Sequence, residues 1–553
     1  MNQKISHYIY ILFFVFFSSD FFAQELNLKI ASLKEVENSI LEKMKYQQKH
    51  MDTVSIGTEI YKISKYLENN GYFTHTIDSI QKTSKEHLVY FSLNDKIDKA
   101  VLKTNSGLSF LLTTHSKENN LIYLAIEKLQ PLLLEISKSL DKQGRSFSKV
   151  QLKNILIKDK TLFADLEIQS SEKRIINSVL VKGYEAFPTS FLKNYFNIKS
   201  NAVFNQQKIS EISDASKGLQ FIKEIKPPEI LFTKDSTLLY LYFKKHQNNS
   251  FDGLVNFASK ENGTLLFNGN IDLKLHNVAD AGEKFELFWN SIGDERQEFK
   301  ILTELPYIFK SPITPEIAFS IYKQDSTFLN TTFNSKIKYS ISEKLKVGLT
   351  YNSESSNNLQ SSNTVNSIHT FNSNFIGFHF SYIKPKNDQF FNNKFYLEVT
   401  PSFGKRKTTE DSSDQFKIKT ITSYIWDINY RNSLFIKNET GFLNSGTYLN
   451  NELFRIGGTN SIRGFNEQSI FTSSYTFFNI EYRFLTSDTS YLYSITDAGS
   501  VTENNEKILS LGLGFRFINN KSHINIGAVI SRNQNHQIQF KNSKIIINWT
   551  IYF

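Results

Sequence analysis

The 553-residue chain contains no cysteine, so disulfide bridges, thiolate metal sites and a lipid-modified N-terminal cysteine are excluded. Long apolar runs are missing too: beyond the N-terminal segment, none reaches the roughly 18 residues that a membrane-spanning helix needs. An oxidising compartment is still permitted, and any membrane-spanning segments must be strands rather than helices.

Nucleic-acid-binding and catalytic motifs are also lacking. The net charge is +10, but lysine and arginine form no basic stripe, so we expect no nucleic-acid partner, whereas the charge suits anionic membrane lipids. The sequence has no P-loop, no His-Glu-x-x-His and no Gly-x-Ser-x-Gly motif, and its 11 histidines are scattered. We therefore predict a protein that is not an enzyme, with no catalytic residue, metal or cofactor.

Aromatic residues, by contrast, are abundant. They make up 14% of the chain, with 49 Phe and 26 Tyr, although the average hydropathy is polar. Such residues are favoured in strands and at membrane interfaces, and the polar average indicates that apolar and polar positions alternate. This composition favours a β-rich membrane protein.

The N-terminus has the pattern of a secretory signal. Lys4 precedes an apolar run from Tyr8 to Phe17, and Phe21-Phe22-Ala23-Gln24 follows as a cleavage region. The run is too short to span a bilayer, so residues 1–23 are predicted to be a signal peptide.

Three weak repeats follow. In each, a helical segment precedes a strand at nearly equal spacing: 17 residues from Gly71 to Leu88, 18 from Gly144 to Leu162 and 17 from Phe221 to Leu238. This predicts one strand-helix-helix-strand-strand unit used three times, at 25–96, 97–171 and 172–246. The middle copy fits least well, because Pro131 interrupts its helical stretch and its first helix is unclear. Each unit either offers a sheet edge to an extended partner segment or serves as a spacer.

From residue 250 to 553 the period changes to two, and about sixteen strand-like segments alternate with polar turns. In "YTFFNIEYRF", outward apolar positions alternate with Asn479, Glu481 and Arg483, as in a strand with lipid on one face and a polar lumen on the other. A Ser/Asn-rich stretch, 353–374, is predicted as a long outer loop. The fold class predicted is thus α+β repeats followed by an all-β transmembrane barrel of about 16 antiparallel strands.

A glycine-rich segment, "FRIGGTNSIRGFNEQSI", interrupts this pattern. It contains Ile462, Arg463, Gly464 and Phe465, preceded by Gly457 and Gly458. With the repeats, the strand count and the downstream "NIEYRF", "TDAGS" and "GLGFRF", it resembles the (V/I)RG(F/Y) loop of the BamA/TamA superfamily of outer-membrane assembly and secretion proteins, whose periplasmic repeats are called POTRA domains. Three repeats look most like TamA, since BamA usually has five.

The resemblance implies that this loop folds into the barrel lumen and that Arg463 meets acidic residues on strands twelve and thirteen. A guanidinium in a confined lumen needs a carboxylate in fork geometry, and glycines let the backbone pass closely. Glu481 faces inward by alternation. Asp497 lies on the face of Tyr491 and Tyr493, so we expect a bulge, or a position above the lipid band, to bring it to the lumen.

The C-terminal "IIINWTIYF" places Trp549, Ile551 and Phe553 on one face. This strand resembles the signal by which outer-membrane barrels are themselves recognised for insertion.

The function implied is that of a bacterial outer-membrane protein with POTRA-like repeats in the periplasm. Unfolded outer-membrane or secreted client proteins would bind the repeats and be inserted or translocated at a seam between strand one, about 251–260, and strand sixteen, about 544–553. A periplasm-spanning inner-membrane partner would dock on the repeats. Two alternatives remain: a two-partner secretion transporter, with residues 32–48 as a plug helix, and a passive porin or surface antigen.

Overall fold

A computed structural model describes residues 26–83, 85–104, 117–118, 120–199, 201–259, 265–292, 296–360, 368–386, 388–502, 506–532 and 543–553. The predicted signal peptide lies outside the described residues. The chain divides into two compact units: one comprises the residues up to 175 together with 203–207, and the other comprises 176–202 together with 208–553.

The first repeat contains β1 (Leu26–Ala31), α1 (Glu35–Leu41), β2 (Lys49–His50), α2 (Thr53–Asn69), β3 (Thr76–Lys82) and β4 (Glu86–Ser92). Its sheet has the order β2-β1-β4-β3. The carboxylate of Asp52 caps α2 by accepting the N–H of Ser55 at 2.7 Å. Apolar residues at helical spacing, Ile56, Ile60, Ile63 and Leu67, cover the sheet and form the core.

Residues 32–48 belong to this repeat and are not a separate plug helix, so that part of the secretion-transporter alternative is wrong. Leu41 lies in the core of the repeat. The carboxylate of Glu37 accepts the backbone N–H of Leu93 at 3.0 Å, which ties α1 to the residue after β4. A buried carboxylate needs such donors, and these contacts hold the helix in place.

The second repeat contains β5 (Lys99–Thr104), β6 (Lys117–Glu118), β7 (Leu121–Ala125), a single turn at Ile126–Lys128, α3 (Leu129–Lys142), β8 (Lys149–Lys158) and β9 (Thr161–Gln169). Its sheet order is β6-β7-β5-β9-β8. Within its described residues there is one α-helix, and β7 pairs with β5 ahead of it. Pro131 does not interrupt α3, because it is the third residue of the helix, where a backbone N–H has no helical acceptor.

The third repeat contains β10 (Ile175–Ile176), β11 (Ser178–Lys182), α4 (Thr189–Asn194), β12 (Ala202–Val203), α5 (Gln206–Ser216), β13 (Ile222–Phe232) and β14 (Thr237–Lys245). β14 lies between β11 and β13. Aromatic rings fill its interior: Phe187 lies 5.4 Å from Phe243 and 6.2 Å from Phe221, measured between ring centroids.

This third repeat is fixed to one end of the barrel. The ring of Phe191 meets that of Tyr307 edge-on at 4.8 Å. The Tyr184 hydroxyl donates to the Asp280 carboxylate, which also accepts from the Lys245 ammonium at 2.6 Å. Burial and this carboxylate raise the pKa of Tyr184 to about 12. Aromatic packing and a charge-assisted hydrogen bond thus join the repeat to the turns of the barrel.

The barrel is closed and has sixteen antiparallel strands, which confirms the predicted fold class. Its strands are β15 (Ser250–Ser259), β16 (Leu265–His276), β17 (Lys284–Ile292), β18 (Arg296–Glu304), β19 (Ile313–Gln324), β20 (Phe328–Ser340), β21 (Leu345–Asn358), β22 (Phe371–Pro385), β23 (Asn393–Thr408), β24 (Ser412–Asp427), β25 (Asn432–Ser445), β28 (Ser474–Ser487), β29 (Ser490–Val501), β30 (Glu506–Asn519), β31 (Ser522–Arg532) and β32 (Lys544–Tyr552). Between β25 and β28 lie β26 (Phe454–Ile456) and β27 (Ile470–Thr472), and single turns occur at Ile308–Lys310 and Asn450–Glu452.

Large apolar side chains cover the outside of the barrel. Ile376, Phe378, Leu513, Ile545 and Ile547 are examples of exposed residues there. Closure pairs most of the backbone groups that an open sheet edge would leave unpaired, and the apolar exterior matches a bilayer. Among the described helices, none is both long and apolar enough to cross a membrane.

Two strands, β21 and β22, extend further than the sequence indicated. Of the stretch 353–374, predicted as a loop, residues 353–358 belong to β21 and 371–374 to β22, whereas 361–367 lie outside the described residues. Ser and Asn side chains are compatible with strand there because they bond across the pairs: the hydroxyl of Ser356 donates to the side-chain oxygen of Asn330 at 2.6 Å.

Candidate functional site

The glycine-rich segment lies in the connection between β25 and β28, and its short hairpin of β26 and β27 leads into a tight turn. Gly457 and Gly458 have φ values of +107° and +99°, which favour glycine. The N–H of Gly458 donates to the carbonyl of Ile462 at 3.1 Å. Ile462 is fully buried in an apolar cluster with Phe477 and other residues of the barrel wall. This packing fixes the position of the next residue, Arg463.

Arg463 is 8% exposed and contacts two carboxylates on the wall of the lumen. Its Nη2 and Nε donate to the two oxygens of Asp497 at 2.6 and 2.9 Å, and its Nη1 donates to Glu481 at 2.5 Å. The backbone N–H of Arg463 also donates to Asp497, at 2.9 Å. The structure therefore brings together all three predicted residues, with a bidentate fork on Asp497.

Asp497 reaches the lumen without a bulge, so the expected irregularity is wrong. Tyr491, Tyr493 and Ile495 are buried on the same face of β29, which means that strict alternation already points this face inward. Its cross-strand partner is Asn479 of β28, in regular register. The tyrosines face the lumen rather than the lipid, and that is why no bulge is needed.

Arg483 is a site residue that the sequence reasoning placed on the inner face but gave no role. Its Nε and Nη2 donate to Glu481 at 2.8 and 2.7 Å. Its guanidinium lies 4.1 Å from the ring centroids of both Phe391 and Phe435. Glu481 thus bridges two arginines, one from the loop and one from the wall. The sequence contains one indication of the Glu481–Arg483 pair: the two residues are spaced i, i+2 and so lie on the same face of one strand.

The residues that follow Arg463 in the motif contact β31, the strand next to β32. Gly464 has φ +89°, and a Cβ there would lie 2.9 Å from that of Ser531 in β31. The Ser531 hydroxyl donates to the carbonyl of Gly464 at 2.9 Å. Phe465 packs, half-buried, on the apolar cluster around Ile462. A close approach of this kind explains the glycine after the arginine.

The tip of the loop, residues 464–468, also reaches across the barrel. The Lys544 ammonium of β32 donates to Asn466, and the Arg296 guanidinium of β18 donates to the carbonyl of Glu467. The Gln468 amide donates to Glu298 of β18 at 2.7 Å. The tip therefore connects β32, the last strand of the barrel, with β18, the fourth. It does so across β15, β16 and β17.

A second buried ion pair, which no sequence pattern indicated, anchors the beginning of the loop. Nη1 of Arg406 in β23 lies 2.6 Å from the carboxylate of Glu452. That carboxylate also accepts from Gln415 at 2.9 Å. The neighbouring Asn451 donates to Ser356 at 2.7 Å. Since Arg406 and Glu452 are separated by 46 positions, no local spacing indicates this pair.

The seam between the first and last strands is short. β15 and β32 pair at Ser250 with Tyr552 and at Phe251 with Ile551. In contrast, β15 pairs with β16 over ten residues, and β31 with β32 over eight. The later part of β15 therefore has no strand partner on its β32 side among the described residues. Unpaired backbone groups at a barrel edge in lipid are costly.

The C-terminal residues lie at this seam. Trp549 and Ile551 are exposed on the outward face of β32, as their alternation predicts, and Phe553, one residue beyond the strand, is exposed as well. The N–H of Phe553 donates to the carbonyl of Asn249 at 3.0 Å, just before β15. The described residues thus place the terminal aromatic at the paired end of the seam.

No protein-family model and no curated protein matches this chain. Among solved structures, it is similar to CdiB from Acinetobacter baumannii (TM-score 0.53, 13% identity, covering 91% of this chain and 100% of that one) and to CdiB from Escherichia coli (TM-score 0.52, 12% identity, 89% and 98%). BamA from Haemophilus ducreyi lacking POTRA domains 1–3 aligns at TM-score 0.43 and 14% identity over 82% of this chain and 98% of that one. At these identities the two CdiB structures share its fold.

Proposed function

We propose that this chain is an outer-membrane protein of the BamA/TamA superfamily that inserts or translocates client polypeptides at the seam between β15 and β32. The seam supports this proposal, because in the described part of the chain only two residue pairs join β15 to β32, whereas all other neighbouring strands of the barrel are joined by eight or more residue pairs. An incoming client strand can supply the missing hydrogen bonds, so exchange at this edge needs no nucleotide, metal or catalytic residue.

The lumen loop supports an active role rather than that of a passive porin. Arg463 and Glu452 fix the loop to different strands of the wall, and its tip contacts both β18 and β32. A loop held across the lumen blocks free diffusion and can respond when the seam changes. Low conductance in planar bilayers is the result we expect, and a large, steady open conductance would favour the porin.

Three repeats favour a TamA-like chain, with the repeats in the periplasm and an inner-membrane partner on the first of them. Unfolded outer-membrane proteins are then the clients. The fold shared with the two CdiB structures favours a second candidate, a two-partner secretion transporter. These two candidate functions differ in the final location of the client polypeptide. An insertion factor leaves it in the bilayer, and a secretion transporter releases it on the other side.

A reversible disulfide across the seam tests the proposal, since the chain has no native cysteine. Ser250→Cys with Tyr552→Cys joins the inward-facing pair that closes the barrel. The matched control, Asn525→Cys with Asn548→Cys, joins β31 to β32, where no opening is proposed. Both proteins are reconstituted in vesicles and given an unfolded outer-membrane barrel as client.

We expect oxidation to stop client insertion and secretion in the seam variant, and reduction to restore them, while the control stays active throughout. Full activity with the seam bond closed would contradict exchange at the seam.

A further inference from the structure

A large basic cavity lies between the third repeat and the adjoining end of the barrel. Its volume is about 1270 Å³, and its lining includes seven lysines but only three carboxylates, those of Glu224, Glu286 and Asp388. Ser250 and Tyr552, the closing pair of the seam, also line it. Any chain that passes from the third repeat to the inner end of the seam meets this cavity.

Three of these lysines have no carboxylate within 4.0 Å in the described part of the chain: Lys223, Lys244 and Lys521. Lys223 and Lys244 are direct cross-strand neighbours in β13 and β14. Like charges placed opposite each other destabilise a sheet. The nearby Glu224 is half-buried, and this burial raises the pKa of its carboxyl group.

Lys521 approaches the same space from the turn between β30 and β31. Its ammonium donates to the side-chain oxygen of Gln247 at 2.9 Å, a neutral partner. The other lysines of the lining have carboxylate partners, as Lys245 has Asp280 and Lys284 has Glu286. Uncompensated positive charge is therefore concentrated at three positions, contributed by the repeat and by the barrel.

From this arrangement we infer that the cavity binds acidic segments of extended client polypeptides on their way to the seam. The inference rests on the proposed function and adds the chemical class of segment that is favoured. A single phosphate would occupy a small part of the volume, whereas an extended peptide rich in Asp and Glu fills it and meets all three lysines. A lipid headgroup fits less well, because Leu219, Ile222 and Ile518 are the only large aliphatic residues among those lining the cavity, too few to receive acyl chains.

The test measures binding of a fluorescent 16-residue peptide of Asp, Ser and Gly to the full chain in nanodiscs of zwitterionic lipid. A twin peptide with Asn in place of Asp is the neutral control. We expect the wild-type protein to bind the acidic peptide about tenfold more tightly than its twin, with the difference disappearing at high salt.

The triple variant Lys223→Gln, Lys244→Gln, Lys521→Gln should lose this preference. A matched triple, Lys182→Gln, Lys193→Gln, Lys234→Gln, removes the same charge from exposed positions of the third repeat outside the cavity and should keep it. Equal binding by the two triples, or no wild-type preference for the acidic peptide, would overturn the inference. In parallel nanodiscs that also contain anionic phospholipid, selective loss of that lipid from the first triple, with peptide binding unchanged, would identify a lipid site instead.

Peptide binding needs no assembly activity, so its outcome is independent of the seam disulfide. If the protein prefers the acidic peptide but the closed seam disulfide does not affect client assembly, the cavity binds acidic segments and the proposed function is refuted. A closed seam that blocks assembly, without acidic preference, would refute the cavity alone.

Discussion

Replacing Arg463 with alanine should release the lumen loop while leaving the barrel inserted. The substitution removes both side-chain contacts to Asp497, which is 0% exposed, and leaves that carboxylate only the backbone N–H of residue 463. Glu481 keeps Arg483 as its partner. Breaking a buried pair on one side costs about 3–5 kcal/mol, because a charge stays buried without compensation.

Hydrogen exchange of residues 456–464 in the purified full chain measures this loss. A cost of about 3 kcal/mol corresponds to roughly 150-fold faster local opening. Adding Asp497→Asn should recover part of the protection, since it removes the orphaned charge, and Arg431→Ala, at an exposed turn, should change nothing. Unchanged exchange in Arg463→Ala would show that apolar packing alone holds the loop and would refute the electrostatic reasoning.

Two further predictions concern the backbone and pH. Gly464→Ala should destabilise the folded loop by about 1–3 kcal/mol, because residue 464 has a positive φ and a Cβ there would clash with a neighbour. Gly57→Ala is the opposite case: Gly57 lies within α2 with open space around it, so alanine should stabilise the first repeat against thermal unfolding by up to about 1 kcal/mol. The Lys245 and Tyr184 hydrogen bonds lower the pKa of Asp280, so its contribution to docking the third repeat is present above the ordinary Asp pKa and is lost as pH falls through the lowered value. Asp280→Asn should remove that acid-dependent loss in thermal unfolding; the exposed Asp235→Asn should retain it, and identical profiles for both variants would contradict the assignment.

The barrel was predictable from the sequence because apolar and polar residues alternate along each strand and so identify its outward and inward faces. In β28, the alternation of Glu481 and Arg483 with outward aromatics gives the orientation directly. The orientation of β29 was not predictable in this way. Tyrosine is found both at a lipid interface and in a polar lumen, so Tyr491 and Tyr493 did not indicate which way Asp497 faces.

Contacts between distant segments were not predictable. Arg406 and Glu452 meet only because the loop folds back against β23. Within the described residues ahead of α3, β7 likewise pairs with β5, a tertiary contact that local propensity does not indicate. The weak pairing of β15 with β32 is also a property of the closed barrel, and neither strand shows it in its own sequence.

Site-specific photocrosslinking can show whether client strands meet the chain at the seam. A benzophenone side chain at Phe251, which faces outward and pairs with Ile551 at the seam, is compared with one at Ile376, an exposed outward position on β22. With an unfolded barrel protein arriving in reconstituted vesicles, we predict client adducts at position 251 and none at 376. Equal adducts at both positions, or none at 251 while clients are still inserted or translocated, would contradict exchange at the seam.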